Sequence, residues 1–122
     1  VPGLLHSVNP YALEHKIPVY CLNKRTICEL DSDNFGKVLL MEVGALFVGT
    51  IVQTYRPGMQ VEKGDEKGFF KFGGSTCIFF FEHGIMKFDE DLIQASNEGF
   101  ETLVHIGEKI GTLSEGKVDA ER

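Results

Sequence analysis

Glycine interrupts the apolar stretches of this chain before any of them is long enough for an extended helix. The sharpest interruption is Phe72-Gly73-Gly74-Ser75-Thr76. It lies between a turn of glycine and charge, Glu62-Lys63-Gly64-Asp65-Glu66-Lys67-Gly68, and the run Cys77-Ile78-Phe79-Phe80-Phe81. Short runs rich in β-branched and aromatic residues, bounded by such turns, read as strands. On this basis strands are predicted over residues 17–22, 26–30, 37–43, 45–55, 69–72, 76–82 and 102–106. Gly44 breaks the middle pair, and Gly49 marks a bulge or a close backbone approach. Asn23-Lys24-Arg25 reads as a tight polar connection, and residues 31–36, Arg56-Pro57-Gly58 and residues 61–68 as turns and a hairpin loop. Residues 8–13 read as a turn leading into one helical turn, and residues 114–122 as a frayed polar end. The best helix is residues 89–95, where Asp89 is placed to cap and acidic residues fill the first turn. The expected fold is mainly β, an antiparallel hybrid of sandwich and barrel with one short helix, in a single domain over residues 1–122.

Size and charge narrow the function. At 122 residues the chain is long enough to bury a core. A net charge of −6 argues against a nucleic-acid partner, whose phosphates require basic patches. No stretch approaches the roughly 20 apolar residues that span a bilayer. Cys21, Cys28 and Cys77 are odd in number and form no CxxC pair, so neither a disulfide framework nor a zinc ribbon is indicated. Cys77, in an apolar run, reads as a small buried hydrophobe. Val1-Pro2-Gly3-Leu4-Leu5 resembles the interior of a domain, so the chain is expected to be a piece of a longer one.

The chemistry concentrates at Gly74-Ser75. Two glycines before a hydroxyl residue allow a strained backbone and leave a carbonyl with little shielding. A serine there, once a base takes its proton, attacks the preceding carbonyl and shifts the acyl group from nitrogen to oxygen. Elimination from the ester releases a chain ending at Gly74, and the remaining dehydroalanine hydrolyses to a pyruvoyl group. Such a group condenses with an amine and accepts electrons when carbon dioxide leaves. Read locally, the same four residues also suit a hairpin turn, which is their commoner use.

The flanking residues extend the pattern. Gly3-Leu4-Leu5-His6-Ser7-Val8-Asn9-Pro10, Asn23-Lys24-Arg25, Phe35-Gly36-Lys37-Val38, Val43-Gly44-Ala45-Leu46-Phe47-Val48-Gly49-Thr50-Ile51, the stretch from Lys63 through Gly73-Gly74-Ser75-Thr76, and Glu101-Thr102-Leu103-Val104-His105-Ile106-Gly107 occur in this order. Together they resemble the C-terminal catalytic portion of phosphatidylserine decarboxylases, the pyruvoyl-dependent lyases of phospholipid biosynthesis. Gly-Gly-Ser-Thr resembles the form found in bacterial and plant-type members; others carry Leu-Gly-Ser-Thr. The resemblance implies self-cleavage between Gly74 and Ser75, giving a β part over residues 1–74 and an α part over residues 75–122. Ser75 would supply the pyruvoyl cofactor and form the Schiff base with substrate. Gly73 would permit the turn, and Thr76 would offer its hydroxyl or amide to the ester or oxyanion. The implied substrate is phosphatidylserine, at the surface of a bacterial or organelle membrane to which the enzyme binds peripherally. The implied partners are the paired α and β parts, with room for a homodimer. The family's catalytic histidine motif and processing aspartate would lie upstream of Val1, and His6 is not that histidine. The piece alone is therefore expected to process slowly or not at all.

Other residues carry weaker signals. His6, His15, His83 and His105 lack metal-ligand spacing. His83 reads as an exposed hairpin tip and His105 as a satisfied histidine in a half-buried strand. Arg25 and His6 are candidates for substrate binding, Arg25 because a guanidinium grips carboxylate or phosphate in a fork. For Lys24 and Arg25 a solvated turn is the favoured reading. Phe79-Phe80-Phe81 reads as a strand buried on both faces, with insertion into lipid as the rival. Residues 84–88 echo a biotinyl carrier turn but lack its second methionine. Gly44 and Gly49 lack the helix and lysine of a phosphate cradle. Two alternatives stay open: a soluble amino-acid decarboxylase of the same lineage, and a non-catalytic lipoyl-like or phosphotransferase-like β-sandwich module suggested by residues 61–65.

Overall fold

The computed structural model describes residues 1–14 and 18–114. In chain order the elements are α1 (Pro10–Glu14), α2 (Val19–Leu22), β1 (Arg25–Ser32), β2 (Gly36–Val43), β3 (Thr50–Gln53), β4 (Gly68–Lys71), β5 (Thr76–Phe81), β6 (Met86–Phe88), α3 (Glu90–Asn97) and β7 (Gly111–Leu113). One sheet has the order β1-β2-β5; β3 pairs with β4 and β6 with β7, both antiparallel. The fold is thus mainly β, and α3, with 8 residues, is the longest helix among the described residues. None of these helices is long and apolar enough to cross a membrane. His15 lies outside the described residues, as do Ile17 and the chain beyond Ser114.

The chain groups into two compact units. One comprises Val1–Glu29 and Leu39–Phe79, and the other comprises Leu30–Val38 and the chain from Phe80 on. In the first unit the N-terminal strand-like segment runs beside the exit of α2. Leu4 N–H donates to Leu22 O at 2.8 Å, and Lys24 N–H donates to Leu4 O at 2.8 Å. Residues 45–48 form a tight turn closed from both ends, with Val48 N–H on Ala45 O at 2.9 Å and Ala45 N–H on Val48 O at 3.1 Å. Among the described residues, Val19, Val43, Ala45 and Val48 are the buried apolar residues of this unit. In the β3–β4 hairpin Gln53 faces Gly68. A Cβ on Gly68 would stand 2.2 Å from Val52 O, so only glycine lets the strands close there. In the second unit Phe81 meets Phe35 and Phe88 edge to face, with centroids 5.9 and 6.1 Å apart. Ile85 and Val38 are buried there.

Several sequence expectations change. Residues 19–22 are helical, not extended. Pro18 leads the segment, and its carbonyl accepts from Cys21 and Leu22 N–H at 3.0 Å each while Val19 is fully buried, so tertiary context overrides β-propensity. Residues 45–55 yield only a four-residue strand, because the turn at 45–48 precedes it. Gly49 is a close approach, but to a side chain: a Cβ there would meet Leu5 Cδ1 at 2.8 Å. Residues 102–106 form no strand. They find no partner, and the chain instead turns at His105, whose N–H donates to Glu108 Oε2 at 2.7 Å. His105 is exposed and not half-buried. Phe79 and Phe80 are exposed, so β5 is not covered on both faces, and Cys77 is exposed with them. Asp89 precedes α3 as expected, but its carboxylate makes no capping bond; it accepts from Lys109 Nζ at 2.8 Å.

Candidate self-cleavage site

The chain leaves β4 at Lys71 and enters β5 at Thr76, so four residues, 72–75, connect strands of two different sheets. Two of them lie in the left-handed region: Phe72 at φ +71° and Gly73 at φ +139°. For a phenylalanine this conformation costs about 1–2 kcal/mol. Glycine tolerates it at Gly73, where a Cβ would also press on Val48 Cγ2 at 3.3 Å. Gly74 differs: a Cβ there would meet nothing within 4 Å, so its surroundings are open. Ser75 is half-buried, and its hydroxyl donates to Val43 O at 2.5 Å. A carbonyl oxygen is far too weak a base to take that proton. The contact therefore holds the hydroxyl without activating it.

The acceptor is itself held. Val43 is fully buried at the end of β2, and the next residue, Gly44, is fastened on both sides. Gly44 N–H donates to Lys24 O at 2.7 Å, and Gly44 O accepts from Asn23 Nδ2 at 2.8 Å. Asn23 Nδ2 also donates to His6 O at 2.7 Å, while Asn23 Oδ1 accepts from His6 N–H at 2.9 Å. Asn23 is 0% exposed and fully hydrogen-bonded, which is the condition for burying an amide at low cost. It is therefore a buried clamp between three chain segments and not part of a solvated connection. Nothing local in the sequence distinguishes such an asparagine from a turn asparagine, because its partners lie 17 and 21 residues away.

The structure gathers Ser75, His6 and Arg25 into one unit, with His6 joined to the site through its backbone. Arg25 Nη1 donates to Cys21 O at 2.7 Å and to Asn23 O at 3.2 Å, fastening the exit of α2. Gly73 and Gly74 lie in the connection, and Thr76 is the first residue of β5. His83 is exposed in the turn before β6.

A second polar group lies in the same unit and escaped sequence reading. Glu42, one residue before Val43, is only 6% exposed. Its Oε1 accepts from Lys67 Nζ at 2.7 Å, and its Oε2 accepts from Gln53 Nε2 at 2.6 Å and from the Thr26 hydroxyl. Lys67 also donates to Gln53 Oε1 at 2.8 Å and sits 5.0 Å from the centre of the Tyr55 ring. Burial pushes the Glu42 carboxyl up, but Lys67, Thr26 and Gln53 together outweigh it and hold the group below its ordinary value of 4.5. The Tyr55 hydroxyl is pushed up to about 12 by its hydrogen bond with Cys28, then by burial and the charges near it. Among the described residues, no buried side-chain nitrogen or oxygen lacks a partner.

Comparison with known proteins identifies the family. A family model described as phosphatidylserine decarboxylase matches residues 1–112. The phosphatidylserine decarboxylase proenzyme of Clostridium tetani is 57% identical over 112 residues, which is 91% of this chain and 37% of the relative. That of Clostridium perfringens is 52% identical over 111 residues, 91% of this chain and 38% of the relative. That of Desulfitobacterium hafniense is 47% identical over 117 residues, 96% of this chain and 39% of the relative. The chain thus spans less than two fifths of the length of the curated relatives it matches. No solved structure matches it. With a family model covering all of the site and relatives near half identity across it, the chain belongs to the phosphatidylserine decarboxylase family.

Proposed function

We propose that this chain carries the self-cleavage site of a phosphatidylserine decarboxylase proenzyme, cut between Gly74 and Ser75. The observation that carries the reading is the placement of the Ser75 hydroxyl. It is held by Val43 O beside an open Gly74, the residue that directly follows two left-handed ones. Ser75 Oγ attacks the Gly74 carbonyl carbon, so the C–N amide bond is exchanged for a C–O ester. Loss of the Ser75 α-proton expels the Gly74 carboxylate and leaves a double bond between Cα and Cβ. Water then displaces ammonia from the imine tautomer, leaving a pyruvoyl group on the new N-terminus. Val43 O keeps the hydroxyl oriented. The base that takes its proton comes from elsewhere in the proenzyme, since the hydroxyl's partner here is a carbonyl.

The open surroundings of Gly74 fit a group that a substrate amine must reach. The pyruvoyl group supplies a reactive carbonyl and an electron sink for loss of carbon dioxide. The residues of this chain that would hold it are Thr76, which anchors it to β5, and the Val43–Gly44 backbone beside it. A phospholipid substrate at a membrane surface is supported by Phe47 and Phe72, which are 84% and 80% exposed. Both are left-handed, and their two turns abut through Val48 and Gly73. The two parts stay together after cleavage because β2, before the cut, and β5, after it, share a sheet.

The test is the full-length proenzyme presented with phosphatidylserine vesicles. Release of carbon dioxide with formation of phosphatidylethanolamine is expected, and Ser75→Ala abolishes both. Activity that survives in Ser75→Ala, or a wild type that decarboxylates only soluble amino acids, overturns the reading.

A further inference from the structure

The segment to be cut is suspended between two sheets. Its upstream end is fixed by β4, which among the described residues pairs only with β3, and its downstream end by β5, in the sheet with β1 and β2. Spacing between those sheets therefore sets the span that residues 72–75 must cross. One side-chain network ties them at this place. Thr26 of β1, Glu42 of β2, Gln53 of β3 and Lys67, the residue before β4, close on one another through contacts that include Lys67 Nζ to Glu42 Oε1 at 2.7 Å and to Gln53 Oε1 at 2.8 Å. Glu42 also directly precedes Val43, whose carbonyl holds the Ser75 hydroxyl.

We propose that Glu42 and Lys67 are positioning residues for self-cleavage. Their ion pair fixes the β3–β4 hairpin against β2 and so constrains the backbone torsions of residues 72–75, which set the angle at which Ser75 Oγ meets the Gly74 carbonyl. Neither residue touches the reacting atoms. A buried ion pair adds little net stability over an apolar pair of the same volume, but its hydrogen bonds fix direction and register where an apolar contact can slide. Both ends of this pair are directional. Each carboxylate oxygen is taken, and Lys67 is held by Gln53 and the Tyr55 ring as well as by Glu42. Loss of the pair lets the hairpin shift, and a small displacement between nucleophile and carbonyl is enough to slow an intramolecular attack severely.

This inference rests on cleavage at Gly74–Ser75, and the test separates the two. The full-length proenzyme is made in cell-free translation, and the first-order appearance of the fragment ending at Gly74 is followed for wild type, Lys67→Met, Lys67→Arg, Glu42→Met/Lys67→Met and Ser75→Ala. Rates are taken well below each variant's thermal midpoint. Lys67→Met is expected to slow cleavage about tenfold, and Lys67→Arg, which keeps the charge, to return to within about threefold of wild type. The double methionine variant keeps the volume and is expected to fold, yet to stay slow by about tenfold. If the folded double variant is cut at the wild-type rate, the positioning role is overturned. If it does not fold, the lysine pair decides: Lys67→Arg no faster than Lys67→Met overturns it equally. A wild type that is never cut, or a Ser75→Ala chain that is, removes the cleavage reading itself.

Discussion

The neighbourhood of Ser75 and the segment from Phe100 to Ile110 invert the usual rule of polar outside and apolar inside. Around Ser75, an asparagine and a glutamate are buried among valines and every buried polar side chain has partners. In the later segment Phe100, Leu103 and Val104 are exposed, and Ile106 is 104% exposed. Both regions lie in stretches that match the same family pattern. The difference is in what each side chain finds. Near Ser75, segments distant in sequence converge and fix one another through directional bonds, which suits a site where a hydroxyl must meet one carbonyl. Across residues 101–109 the chain has no ladder partner among the described residues, and its exposed apolar side chains contribute little to the fold of this chain.

The comparison can be broken most decisively at the serine. Ser75→Ala in the full-length proenzyme is expected to abolish cleavage entirely, read as a single band on a denaturing gel. Next comes the clamp. Asn23→Leu would strand Gly44 O and His6 N–H, leaving His6 O only its bond from Leu46 N–H, and should cost about 2–4 kcal/mol in urea denaturation of this chain. A loss under about 0.5 kcal/mol would mean that the clamp is not needed to hold the site, since that is the scale of an ordinary surface change. Acid should act through Glu42. Its carboxyl is held below 4.5 in the folded chain, so its contribution is present above that value and is lost as pH falls through the lower, folded pKa. Unfolding midpoints measured down through this range should fall for wild type and fall less for Glu42→Gln; equal slopes would contradict the assignment. The smallest effect belongs to the other region. Leu103→Ser and Ile106→Ser should each change the stability of this chain by no more than about 0.5 kcal/mol. A loss of about 2 kcal/mol would show that the segment is packed and would remove the contrast.

Much of the fold was readable in the residues. β1, β2, β4, β5 and α3 fall where β-branched runs, glycine turns and an aspartate-led acidic turn put them. Residues 19–22 and 102–106 have the composition of strands but lack the neighbour. A strand exists only where a partner accepts its backbone, and no local pattern reports that. The apolar run at Phe79-Phe80 misled for the same reason, since composition gives hydrophobicity and not what covers it. At the site, the two glycines and the serine were legible because strain and nucleophilicity are properties of those residues. Asn23, Glu42 and Lys67 were not. Each acts through partners 11 to 25 residues away, and in one dimension each resembles a solvated polar residue.

The central claim is that Ser75 breaks the chain behind it. Intact-mass analysis of the purified full-length proenzyme, after folding to completion, tests this most directly. Two polypeptides are expected, one ending at Gly74 and one whose N-terminus has the mass of a pyruvoyl group in place of serine and resists Edman sequencing. A single uncut polypeptide that decarboxylates phosphatidylserine with Ser75 unchanged would contradict it.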